Sequence, residues 1–450
     1  MALKPHTRSF VKVAFAALFL VLAPYLIVKM LGFVIDLKHW RLAKAGSLYV
    51  KFLPREATLA INDEPYPASA GYLSHDIYIP GLAPDTYDVS LTLNNYSPWR
   101  KKLVVEPGKV AFGSDIVLWP ERISTEGSST NISFFRLTSG GVVTNGTSSA
   151  LSFQSVALRG STVFASMPDS NTIVTKSADR YYAIDLATPG TAIPISERFA
   201  ALQRLLLRTT SVQPMRDIRI HPFSPAKLLI MSNTSVYQYD MKKDELEILI
   251  KADKLTAFTA DDDEVLTIDG KGALIAENLL VHTITKYPAH LGFARHIVSD
   301  AGGKRLLIED EAHDLYLFDR SLQTLKKVGT NVVFSSFSPD DTRAIFIDAN
   351  NTMSVLYLVD NEENVVRHAG DIDTFILENG EEAATFAWVP FAPNYFFIRA
   401  DSKLLVEEFD VRPPRNIAVL ARNARDFALA GDHLYLLRTN GTLSWGPVRP

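Results

Sequence analysis

Two stretches of this chain concentrate groups able to hold a cation or move a proton: Asp261-Asp262-Asp263-Glu264, and Glu309-Asp310-Glu311-Ala312-His313-Asp314. A calcium loop needs oxygen ligands at alternating positions around a central glycine, and the first run lacks that spacing. Both runs read as charged turns between strands. His282, His290 and His296 fall within one short segment, but neither an i, i+4 helical pair nor alternation across one hairpin brings them together, so scattered loop histidines are expected rather than a metal site. Gly270-Lys271-Gly272 lacks the rest of a dinucleotide fingerprint and reads as a hairpin turn. There is no nucleophile elbow, phosphate loop or His-Glu-x-x-His. With no cysteine anywhere, thiolate zinc sites, disulfides and cysteine nucleophiles are excluded. The expectation is a protein that is not an enzyme and carries no cofactor and no metal. One arrangement escapes a linear reading, because two carboxylates about 5–9 Å apart can be assembled from distant parts of a repeat fold. Tyr96, Trp99 and Trp119 are the candidate binding residues, as an aromatic contact surface of the kind that sugar and protein sites use; packing in a domain core or between domains is the other use of such rings.

The elements that must position these residues begin with an apolar segment. Val13 to Val28 carries no charge, and Lys29 is the only charge between Val13 and Ile35. At 1.5 Å per residue this run is about 35 Å long, enough to cross a bilayer core. Residues 13–35 are therefore expected to be a transmembrane helix, with 1–12 as a cytoplasmic tail. A buried core helix would show a polar stripe. A cleaved signal peptide would place the small-x-small site Ala43-Lys44-Ala45 far from the apolar run, beyond Lys38, His39, Trp40 and Arg41. Lys4, Arg8 and Lys12 on one side balance Lys38, Arg41 and Lys44 on the other, so charge gives no orientation. The net charge of -4 leaves no basic footprint for nucleic acid, and the absence of cysteine fits an exported chain.

Residues 46–120 follow a strand grammar. Ser47 to Phe52 and Thr58 to Ile61 flank a Pro-initiated turn; Tyr87, Val89, Leu91 and Leu93 alternate with Asp88, Ser90, Thr92 and Asn94; Lys101 to Glu106 and Ile116 to Leu118 complete a small antiparallel sandwich. Gly46-Ser47-Leu48-Tyr49-Val50, Pro54-Arg55-Glu56-Ala57, Asn62-Asp63, Gly81-Leu82-Ala83-Pro84-Asp85-Thr86-Tyr87, Asn95-Tyr96 and Pro107-Gly108 together resemble the PEGA domain, a β-module of bacterial and archaeal surface proteins. Glu56, Asp63, Asp85 and Asn95 stand where that pattern has glycine. Asn and Asp tolerate positive φ, so Glu56 alone implies a different turn. The resemblance implies an extracytoplasmic, non-catalytic spacer or adhesive module, as in bacterial membrane-anchored proteins that carry this domain.

A polar linker, 121–131, precedes a repeat over 132–450. Hairpins starting near Thr172, Leu228, Glu264, Arg305, Arg343, Asn394 and His433 are spaced by 56, 36, 41, 38, 51 and 39 residues. Most intervals suit a four-stranded propeller blade, and ISERFAALQRLLLR would supply a short helix within the first. Phe337-Ser338-Pro339-Asp340-Asp341 and Phe223-Ser224-Pro225 resemble the Phe-Ser-Pro-Asp-Gly turn of the periplasmic Tol-system propeller and related WD-repeat-like propellers. The fold class expected is mainly β: a transmembrane helix, a PEGA-like sandwich, then a β-propeller of seven blades. The alternatives are eight blades, if residues 132–165 form their own, and an unclosed stack of hairpins. The last hairpin lacks a fourth strand, which residues 132–153 are expected to supply. The functional expectation is a single-pass membrane protein with its bulk extracytoplasmic, tethered to the lipid bilayer through residues 13–35 and binding an envelope protein or polymer. The alternative is a glycan- or peptide-processing enzyme with carboxylates at the propeller axis.

Overall fold

The computed structural model describes residues 5–36, 40–67, 76–139, 141–146, 151–167, 170–261, 263–287, 291–362, 364–376 and 383–449. Helix α1 (Pro5–Met30) contains Pro24 and ends earlier than the hydropathy predicts. Gly32 adopts a left-handed φ of +77°, and its N–H closes the last turn on the Lys29 carbonyl. The β-branched residues that follow are extended: Phe33–Asp36 pairs with Arg41–Lys44 as a two-stranded hairpin, Ile35 opposite Leu42. The expected helix over 13–35 is thus corrected to one that stops at Met30.

Next comes a two-layer sandwich. One sheet has Gly46–Leu53 between Asp76–Leu82, antiparallel to it, and Val110–Val117, parallel to it. The other has the order Glu64–Pro65, Thr58–Ile61, Asp85–Thr92, Trp99–Val105. Alternation buries Leu48, Val50 and Phe52 from one sheet against Leu59, Val89, Leu91 and Leu103 from the other. Asp63 and Asn95 hold positive φ, at 65° each, whereas Asp85 opens a strand and uses its carboxylate to accept the Thr86 N–H.

The rest of the described chain forms eight four-stranded antiparallel sheets, over residues 132–157, 162–194, 217–251, 255–287, 294–329, 332–376, 383–422 and 424–447 with Gly127–Ser129. Consecutive sheets share apolar clusters, and Ile132, Phe135, Leu437 and Leu443 join the eighth to the first. The arrangement is a propeller-like ring. Residues 132–157 make a sheet of their own, so the strand expected from 132–153 does not complete the last one. Gly127–Ser129, inside the supposed linker, pairs with Leu443–Pro447 instead. A side chain on Gly127 would strike the Trp445 ring, whose stacking on Tyr435 the glycine permits. In seven of the eight sheets the first strand carries a bulge, for example between Ala294 and His296, which adds local twist to that strand.

Phe337 is buried among Leu307, Leu315 and Leu356 between the fifth and sixth sheets, and Ser338 Oγ accepts the Arg343 N–H at 2.9 Å. Phe223, by contrast, is largely exposed. The predicted helical insertion is α2 (Ile195–Leu207), ended by Arg208 in the left-handed region.

Candidate functional site

Trp99 and Trp119 are not on a surface. They are 2% and 3% exposed, at the junction between the sandwich and the seventh sheet. Strand Trp99–Val105 alternates strictly between buried and exposed positions, which sets Lys101 on the same inward face as Trp99 and Leu103. Lys101 is 0% exposed. Its Nζ lies 3.2 Å from Glu408 Oε2 and 4.0 Å from Asp410 Oδ1, and donates to the Asp410 and Arg412 carbonyls at 2.7 Å each. Glu408 also accepts the Trp99 indole N–H at 3.0 Å and the Asn416 amide at 2.8 Å. Burial raises the Glu408 pKa, opposed by Lys101. Around this centre Arg412 donates to the Phe112 carbonyl, Asn364 accepts the Ser114 N–H, and the Tyr395 hydroxyl accepts the Val117 N–H. Trp119 packs edge-on against Tyr395 and Phe397, with centroids 5.5 Å away in both cases. Tyr96 is half-buried against the sandwich core. Of the two uses open to these rings, Trp99 and Trp119 have the packed one: Trp99 lies in the sandwich core and bonds Glu408, while Trp119 packs on the seventh sheet. A lysine on the apolar face of an alternating strand was the signal for this centre, and Lys101 was not singled out from sequence.

The acidic and histidine candidates disperse. Asp263 accepts the Asn278 amide at 3.0 Å, while Glu264 pairs with Arg320 at 2.7 Å. Asp262 and His290 lie outside the described residues. Glu309 binds the His313 ring at 2.7 Å, and Asp310 accepts the Ala312 and Asp314 N–H groups of its own turn. His282 approaches the buried Glu277 at 3.7 Å, whose pKa burial raises. Burial, then Arg219, lowers the pKa of His296. Among the described residues no three His, Asp or Glu side chains gather to hold a metal ion. Glu408 and Asp410, the acids that share a buried site, are occupied by Lys101 and Arg412. Both acids also line a small cavity of about 30 Å³ with Arg343, Tyr357 and Asn364.

A cavity of about 580 Å³ lies between α2 and the third sheet. The inner side of α2 is fixed: Ile195 and Phe199 are buried, Phe199 meets Tyr237 edge-on at 5.3 Å, and Gln203 donates to the Tyr237 hydroxyl. Asp244 ties Tyr239 at 2.9 Å and Arg198 at 3.3 Å; burial pushes the Tyr239 pKa up to about 12. What remains is a floor of Leu202, Leu205, Leu206 and Leu246, rimmed by Lys227, Lys243, Asp240, Asp244, Glu245 and Glu247. Leu205 is 75% exposed, and Glu245–Lys251 is the outer edge strand of its sheet. Leucines beside a free strand edge, framed by charge of both signs, suit an apolar segment of another macromolecule. Sequence reasoning placed the helix and missed the groove, since nothing in ISERFAALQRLLLR tells which leucines the sheet covers.

No protein-family profile matches this chain, and no curated protein matches it. Among solved structures, Hsv2 of Kluyveromyces lactis superposes with a TM-score of 0.44 at 11% identity, covering 66% of this chain and 99% of that one. A second Hsv2 structure with its loop 6CD complete gives 0.42 at 12% identity, over 66% and 99% of the two chains. A chain of the mitotic checkpoint complex gives 0.41 at 10% identity, over 73% and 96%.

Proposed function

We propose that the chain is a membrane-tethered binding scaffold of the cell envelope. In this reading α1 spans the bilayer, the sandwich is a PEGA-like module outside it, and the ring is an eight-bladed propeller that presents a docking groove to an envelope protein or polymer. The binding role is carried by the leucine-floored groove between α2 and the third sheet. The tether is supported by the stretch Val13–Met30, mean hydropathy 2.2, of which no part is covered by protein. The eight-bladed reading is supported by the apolar clusters that link consecutive sheets and close the ring. The Lys101 centre makes the sandwich a fixed riser beneath the propeller.

The test is a photo-crosslinking residue at position 205, in intact cells, against the same residue at the exposed turn position 440. A discrete adduct from 205, absent from 440 and lost when Leu206→Asp is added, supports the groove as the docking site. Equal adducts from both positions refute it. Protease digestion of intact and lysed cells in parallel reports sidedness. Cleavage only after lysis, in cells whose outer envelope admits protease, reverses the orientation.

A further inference from the structure

The apolar character of the N-terminal region does not stop where α1 stops. Met30 and Leu31 are exposed, Gly32 ends the helix, and the chain doubles back as the hairpin of Phe33–Asp36 and Arg41–Lys44 before it enters the sandwich. Pairing sets Ile35 opposite Leu42, each more than half exposed, and Trp40 beside the tip is 87% exposed. These residue types are unsuited to a ribbon standing in water, because a two-stranded ribbon has no second layer to cover them and is marginal by itself.

The base of the hairpin is tied. The Ala45 N–H donates to the Gly32 carbonyl at 2.7 Å, and the Gly108 N–H to the Ala45 carbonyl at 3.0 Å. The hairpin therefore stays beside the end of α1. From Val13 to Met30 the helix covers about 27 Å at 1.5 Å per residue, close to the 30 Å or so of a hydrocarbon core, so the bilayer surface falls near Met30. A headgroup layer is about 5–8 Å thick on each side. Each four-residue strand is about 13 Å long. Upright, the hairpin would carry Trp40 beyond that layer; lying flat, it sets Ile35, Trp40 and Leu42 at the level where indoles and aliphatic chains partition.

We infer that the paired strands Phe33–Asp36 and Arg41–Lys44, with Trp40, form an interfacial foot: a β-ribbon lying in the phospholipid headgroup region and fixing how the sandwich stands on the membrane. The inference rests on α1 spanning the bilayer. The chain has no cysteine, so Leu20→Cys, Leu42→Cys and Asn440→Cys each give it one site for a nitroxide. Collision rates with oxygen and with a water-soluble nickel chelate are measured in phosphatidylcholine–phosphatidylglycerol vesicles. The label at 42 is expected to be hit by nickel at least about threefold less than the label at 440, and more than the label at 20. Adding Trp40→Ser is expected to raise nickel access at 42. If 20 is shielded while 42 matches 440, the hairpin stands in water and the inference falls with the anchor intact. Should 20 match 440, the span itself fails and the foot with it.

Discussion

Lys101→Met is the most informative single change, because it keeps the buried stem and removes only the charge. The lysine is fully enclosed, and its loss leaves Glu408 without its nearest cation and two carbonyl oxygens, of Asp410 and Arg412, without a donor. Removing one partner of a buried pair costs about 3–5 kcal/mol. Trp99 and Asn416 still hold the carboxylate, so the lower end, about 3 kcal/mol, is expected here. At 1.4 kcal/mol per decade this is about a hundredfold greater opening of the junction. Hydrogen exchange reads it directly: the Lys102 N–H, bonded to the Pro413 carbonyl at 2.9 Å, and the Val117 N–H, bonded to the Tyr395 hydroxyl at 3.0 Å, should exchange about a hundredfold faster. Amides of strand Ser224–Met231 in the third sheet should not change.

The pH dependence supplies a second reading with a definite sign. Burial already raises the Glu408 pKa against the opposing Lys101, so removing the lysine raises it further. A carboxyl whose folded pKa exceeds its unfolded value binds a proton that the unfolded chain releases, and stability falls as pH rises from about 4.3 through the folded value. The Lys101→Met penalty must therefore be larger at pH 8 than at pH 5, and Lys101→Met with Glu408→Gln should recover most of it. Unchanged exchange at pH 8, or a double variant no better than the single one, would refute the view that this ion pair holds the junction.

Two further outcomes concern closure of the ring. Gly127→Val places a Cβ 2.3 Å from the Trp445 side chain; the strain of about 1–3 kcal/mol should lift the closing strand, lower the thermal midpoint and speed proteolysis within residues 121–131. His433, held by Asp432 at 2.8 Å and by Glu126 at 3.1 Å, has its pKa raised by both bonds, that to Asp432 first. Its contribution to closure should be complete below about pH 6.5 and lost as pH rises through the folded value; an NMR titration of the ring should show the shift, and Glu126→Gln should reduce it.

The parts of the fold governed by local grammar were legible. Strands begin at Thr172, Glu264, Arg305, Arg343 and His433, where an apolar pattern follows a turn of Asp, Gly or Pro. The sheet of residues 132–157 was less legible because its last two strands have three and two residues, too short to show a period. Gly127–Ser129 has no side-chain pattern at all and is a strand only because Leu443–Pro447 offers it a backbone edge. The end of α1 was misplaced because hydropathy does not distinguish an apolar helix from an apolar hairpin, whereas Gly32 does. Sequence left the tryptophans open between a contact surface and a packed core, because what covers Trp99 and Trp119 comes from strands more than 270 residues away in sequence.

That long-range burial also changes what the sandwich does. A spacer joined to its neighbour only through a polar linker would let the propeller-like ring swing, and on the proposed tether the groove beside α2 would then sample every height above the membrane. Here the linker is not the connection. Trp99, Lys101 and Arg412 carry the sandwich onto the seventh sheet by side-chain bonds, and the Arg100 and Lys102 N–H groups donate to Asn416 and Pro413. At the other end, Ala45 ties the sandwich both to Gly32 and to Gly108. If the foot lies in the headgroups, each joint between the bilayer and the groove is fixed by a hydrogen bond or a buried ion pair, so the groove is held at one orientation. A Lys101→Met protein would then keep both the anchor and the groove but lose the register between them. Crosslinking from position 205 should fall in intact cells while binding to a solubilised partner persists, a separation that a flexible tether would not produce.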